Sequence, residues 1–246
     1  MQPSSAVWSL VFGAAAAAAT VAGGLLVSRR RWSDLMLRSF VALGAGFMIA
    51  AVCLRMLPES MKLSAHAPIL ILAGYLLVHF FEHTVAPHFH FGEEIHEAEM
   101  VNPAVGFSAL VGLSTHAFFD GVSISSGFLV SFPLGLLIFF AVALHKLPEG
   151  FTVASIALAS GRGQKGALTA SLLLGGATLL GTVAMVRLGS AVSYTLPVSA
   201  GVTLYVAATD LLPEVNEERG IRMALVVFLG VALFYLTEAA LESLSL

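Results

Sequence analysis

Two short stretches of this chain nearly repeat each other: His116-Ala-Phe-Phe-Asp120-Gly121 and His145-Lys-Leu-Pro-Glu149-Gly150. In each, a histidine precedes a carboxylate by four residues, and on a helix that spacing sets both side chains on one face about a turn apart. Each stretch therefore offers one imidazole and one carboxylate, which is half of a cage for a cation. With Lys146, five ionisable side chains fall in two apolar runs long enough to cross a bilayer. Leaving three formal charges unpaired there would cost about 10 kcal/mol, so mutual pairing or a bound cation must offset them. Imidazole nitrogen combined with carboxylate oxygen suits zinc, iron, manganese, cobalt or cadmium, whereas an all-oxygen cage would favour magnesium or calcium.

The elements that must hold these residues are membrane helices. A chain of 246 residues that is 58% hydrophobic and 11% charged has too little polar surface for a soluble globule. Apolar runs of about 20 residues mark eight spans, near 6–27, 35–57, 68–87, 103–127, 133–159, 166–187, 193–213 and 221–242. The sequence thus predicts an all-α integral membrane protein, an eight-helix bundle forming a single transmembrane transport domain over residues 1–246. Arg29, Arg30, Arg31, Arg162, Lys165 and Arg219 fall in breaks on one side, whereas the other side holds Lys62, with Arg55 and Arg187 at span ends. The basic side is cytoplasmic, which places both termini outside a plasma or inner membrane. The first span has no basic residue before it and three arginines after it, so it reads as a retained anchor and not a cleaved signal. Net charge is −3 and the sole cysteine is Cys53, so nucleic-acid binding, an intrachain disulfide and thiolate metal sites are set aside.

The two motifs match at one offset, since 116 to 145, 120 to 149 and 121 to 150 are each 29 residues apart, and Ser123 and Thr152 continue the match. The fourth and fifth spans run in opposite directions, so this is the pattern of inverted-repeat pseudo-symmetry with a site at the midplane. Met56-Leu-Pro-Glu59 ends the second span as Leu211-Leu-Pro-Glu214 ends the seventh, a second echo of the same kind. Pro148 has no N–H to give, which frees the Leu144 carbonyl to face an ion or water. Gly121 and Gly150 leave room for a neighbouring or moving helix. Ser123 and Thr152 could line a path away from the site. Lys146 can reach Glu149 on its own helix and Asp120 across the pair, and as a fixed cation it would stand in for a second metal, leaving one transported ion.

On these motifs the fourth and fifth spans resemble the signature helices of the ZIP (Zrt/Irt-like protein) family of divalent-metal transporters. There a His-x-x-x-acid-Gly helix faces a His-x-x-Pro-acid helix, and the eight spans, outside termini and histidine-bearing third loop agree with that layout. The resemblance implies that His116, His145 and Glu149 form the principal metal site with Asp120 close by. It also implies metal movement toward the cytoplasm by rocking or elevator-like alternating access, zinc as the foremost cargo, no organic cofactor, and often a homodimer. Ala117 and Lys146 occupy positions where two-metal members carry further polar or acidic ligands, and the sixth span lacks an acid, which fits a single-metal site.

Further candidates are His79 and His83, one turn apart with Glu82 beside them, and the loop residues His88, His90 and His96, which could catch metal on the exit side. Asp210 and Glu214 near the inner end of the seventh span could relay ions, although interfacial solvation is the simpler role. Two histidines, a carboxylate and an open position also describe a catalytic zinc, so a membrane-embedded zinc-dependent hydrolase is the rival reading, and a proton or ion channel a third. No His-Glu-x-x-His motif is present, and a duplicated midplane site suits passage better than one-sided catalysis.

Overall fold

The computed structural model describes residues 4–27, 34–85, 103–216 and 221–243. The stretches with Arg29 to Arg31 and with His88, His90 and His96 lie outside the described residues. Eight long helical runs follow in order: α1 Ser5–Val27, α2 Asp34–Ala51, α3 Ala67–Val85, α4 Pro103–Val130, α5 Phe132–Ala159, α6 Gly163–Arg187, α7 Val192–Tyr205 and α8 Ile221–Ser243. Two of them continue through a π-helical turn. α2 passes through Val52–Met56 into Leu57–Leu63, so the second span runs past its expected end, and α7 passes through Val206–Leu211 into Leu212–Asn216. The chain is helical wherever it is regular, with no strand among the described residues.

Among the described residues, seven of these runs are long and apolar enough to cross a membrane. The eighth, α4, is also 28 residues long and carries His116, Asp120, Ser114, Ser123, Ser125 and Ser126. Large apolar side chains such as Phe228, Leu236, Leu180 and Phe80 face outward, while the polar groups of α4 and α5 are interior. That inside-out polarity is what lipid as the surrounding solvent selects.

Packing divides the helices into two groups. α1, α4, α5 and α6 pack on one another; α8 lies along α2, and α3 along α7, with α2 meeting α5 and α4 meeting α7 between the groups. Exchanging α1 with α6, α2 with α7, α3 with α8 and α4 with α5 maps this set of contacts onto itself. The seams are glycine pairs in which each helix presses on the other's carbonyls. A Cβ on Gly150 of α5 would strike the Thr20 carbonyl of α1, and one on Gly23 of α1 would strike that of Leu147. Gly121 of α4 meets the Thr178 carbonyl of α6, and Gly181 of α6 meets that of Phe118. Thr20 and Gly23 correspond to Thr178 and Gly181 at a single offset, 158 residues. Gly46 against Gly230 and Gly201 against Gly74 repeat the arrangement in the other group. Gly46 to Gly201 and Pro58 to Pro213 share one spacing, 155 residues, so each Leu-Pro-Glu follows its π-helical turn in equivalent register. The inverted repeat read from two short motifs thus extends through the whole bundle.

Candidate metal centre

α4 and α5 form a hairpin whose connection is the single residue Ser131, in extended conformation. Its hydroxyl accepts the Leu134 amide proton at 3.3 Å and caps α5, and Pro133 in the first turn needs no amide partner. In antiparallel neighbours, residues equally far from the turn come level. His116 precedes Ser131 by about as many residues as His145 and Lys146 follow it, so these three share one level. Asp120 lies nearer the turn and Glu149 farther from it, about 10 Å apart along the axis at ~1.5 Å per residue. The 29-residue repeat therefore sets the imidazoles together and one carboxylate on each side of them.

All five side chains are buried, Lys146 completely. Asp120 Oδ2 is the hub, with Lys146 Nζ at 2.7 Å, His116 Nε2 at 3.1 Å and His145 Nε2 at 3.4 Å. Lys146 also pairs with Glu149 Oε2, which leaves Glu149 Oε1 buried without a hydrogen-bond partner. Ligand atoms of His116, Asp120 and His145 all lie within 4.8 Å of one another. Glu149 stands next to that trio through Lys146.

The hydrogen bonds around His145 say what the trio can hold. Its Nδ1 is 3.1 Å from the Ala141 carbonyl oxygen, and since a carbonyl only accepts, Nδ1 carries the proton. In the neutral ring Nε2 then turns its lone pair toward Asp120 Oδ2, 3.4 Å away. His116 Nε2 lies 3.1 Å from the same oxygen without hydrogen-bond geometry. Facing lone pairs repel unless a cation sits between them. Zinc bonds nitrogen and oxygen at about 2.0–2.2 Å, and tetrahedral ligands at that radius stand about 3.3 Å apart, close to both distances. The Ala141 contact also fixes the ring as metal-ligating histidines require.

Other candidate residues lie around this centre without joining it. Ser123 Oγ is 3.5 Å from Thr203 Oγ1, a contact between α4 and α7 that the sequence did not disclose. Thr152 is half-buried on α5, one turn beyond Glu149. Asp210, for which interfacial solvation was the simpler expectation, is instead buried in the second π-helical turn, where it accepts from Thr209 Oγ1 at 3.2 Å. It is within electrostatic reach of Glu82 and His116. Tyr205, also unforeseen, donates its hydroxyl proton to Glu82 Oε2 at 2.9 Å and faces His79 edge-on at 6.0 Å. His79 and His83 are exposed, with rings 4.2 Å apart. The hairpin and α7 therefore carry polar groups from the centre toward the end of α3 where these histidines sit.

Comparison with known proteins gives the same direction. Residues 90–238 match the family model described as ZIP Zinc transporter. A zinc transporter ZIP13 homolog of Drosophila melanogaster is 34% identical over 147 residues, covering 55% of this chain and 41% of that protein. Human zinc transporter SLC39A7 is 32% identical over 136 residues, covering 51% and 29%, and human zinc transporter ZIP10 is 28% identical over 141 residues, covering 53% and 17%. The chain thus spans less than half the length of these curated relatives.

Proposed function

Because this chain belongs to the ZIP zinc transporter family, we propose that it carries a divalent metal ion, zinc foremost, across a membrane toward the cytoplasm by alternating access. The observation that supports this most directly is the trio of His116, Asp120 and His145, whose ligand atoms lie within 4.8 Å of one another at a buried point between two helices. Iron, manganese and cadmium accept the same donors, so the donor set alone does not rank them.

The basic side of the sequence is taken as cytoplasmic, which puts the Ser131 turn outside. Asp120 then meets an ion arriving from outside, the two imidazoles share it, and Glu149 receives it on the inner side. Ser123 lies on the outer half of the path, and Thr152, Asp210 with Glu82, then His79 and His83 mark the inner half. Both bundle interfaces suit sliding. α2 and α5 share an apolar cluster that includes Val41, Ala45, Leu137 and Ala141, while α4 meets α7 through weak hydroxyl pairs such as Ser126 with Thr195 at 3.2 Å. Displacing one group of helices against the other would carry the centre from one facing to the other. Lys146 fills the space between Asp120 and Glu149, which supports one ion per passage. The proposal includes a plasma or inner membrane, termini outside, and a homodimer as the family resemblance implies.

The hydrolase alternative falls with family membership, since members of this family are transporters and not enzymes. The test is uptake of labelled zinc, iron, manganese and cadmium by liposomes holding the purified protein, beside His116→Ala and Glu149→Ala. Uptake by the wild type and severe loss in both variants is the expected result. Full transport by both variants would remove this centre from the pathway, and lipid hydrolysis without transport would revive the enzyme.

A further inference from the structure

We propose that Lys146 is a built-in counter-ion that lets the empty centre pass between its outward and inward facings, so that it governs net transport and not metal exchange. This rests on the alternating-access reading above. Along α1 there is no ionisable residue, and α6 has Lys165 and Arg187 only at its ends, so the charge enclosed by this group of helices is that of the α4–α5 cluster. Metal binding requires neutral imidazoles. With the imidazoles neutral in both forms, Asp120, Glu149 and Lys146 sum to one negative charge without metal, and a divalent ion turns that into one positive charge. The two forms that must cross are equal in magnitude.

Without the ammonium the loaded centre would be neutral and the empty one doubly negative. The cost of enclosing charge in a low-dielectric interior grows with the square of that charge, so the empty passage becomes about four times as expensive to enclose. The geometry suits Lys146 to this role. It is completely buried, its Nζ is 2.7 Å from Asp120 Oδ2, and it also holds Glu149, three residues along the same helix. When a metal ion takes over Asp120 Oδ2, the ammonium keeps Glu149 as its partner and travels with the centre. Arg55, another cation of the described residues, is bound to Glu238 and Glu242 on α8 and belongs to the opposite group of helices.

Two uptake modes in proteoliposomes of the intact chain separate this role from a structural one. Uptake of labelled zinc into zinc-free vesicles needs the empty carrier to return, whereas exchange against unlabelled internal zinc needs only the loaded form to cross. Lys146→Met and Lys146→Gln are expected to lower the ratio of net uptake to exchange by about tenfold or more, ~1.4 kcal/mol in the return barrier. Lys146→Arg keeps both modes. Wild-type net uptake in the Met and Gln variants, or loss of both modes together in both of them, would overturn the proposal. Absence of zinc movement in either mode for the wild type would instead overturn the transport reading.

Discussion

In a Gly121→Ala variant the new Cβ meets the Thr178 carbonyl oxygen and lies 2.7 Å from the Thr182 amide nitrogen. Both belong to the backbone of a packed helix and cannot rotate aside. Restoring ordinary contact, at about 3.5–4 Å, requires α4 and α6 to part by about 1.5–2 Å at the tightest point. Overpacking of this kind costs about 1–3 kcal/mol. Alanine is also the better helix former by about 1 kcal/mol, which would blur a comparison with wild type alone. Gly176 on the same helix pair removes that ambiguity, because a Cβ there meets nothing within 4 Å. The propensity gain is common to both, so Gly121→Ala should be less stable than Gly176→Ala by about 1–3 kcal/mol in detergent denaturation. The displaced helix carries His116 and Asp120, and metal–ligand distances tolerate only about 0.2 Å, so zinc uptake should fall in the first variant and hold in the second. Equal stability and equal uptake of the two variants would show that the glycine seam does not position the centre.

Two further outcomes follow from the centre itself. Lys146→Asp should raise bound zinc from one ion per chain to two, read by native mass spectrometry, and an unchanged stoichiometry would count against Lys146 standing in for a second metal. Imidazole and carboxylate must shed protons to bind metal, so loading is favoured at higher pH and lost as pH falls; uptake should decline below about pH 6, and a flat profile would contradict the ligand set.

What could be read from the sequence was local or repeated. A histidine and a carboxylate four apart on one helix are brought together by helix geometry alone, and the offset between the two motifs announces the symmetry. Span positions follow from apolar run length and agree with the described helices, except where π-helical turns carry α2 and α7 onward through Leu-Pro-Glu. What could not be read depends on where the hairpin turns. Sequence treats Asp120 and Glu149 as equivalents, but the Ser131 turn sets one above the imidazoles and the other below, so only Asp120 gathers both rings. Tyr205 with Glu82, and Ser123 with Thr203, join residues distant in sequence through helix crossing and left no periodic trace. The Thr20/Gly23 and Thr178/Gly181 echo was legible but lies in the interiors of α1 and α6, which carry no ionisable residue to mark it.

The short link at Ser131 has a consequence for how the protein is made. α4 carries an ionisable pair, His116 and Asp120, in its interior, and its aspartate would weigh against lateral release from the translocon were it delivered alone. Tied by one residue to α5, it can leave the translocon as half of a hairpin in which Asp120 already faces Lys146. Assembly of the ion-handling cluster and commitment of these two segments to the bilayer are then a single event during biosynthesis, and the polarity needed for cargo is masked before it meets acyl chains.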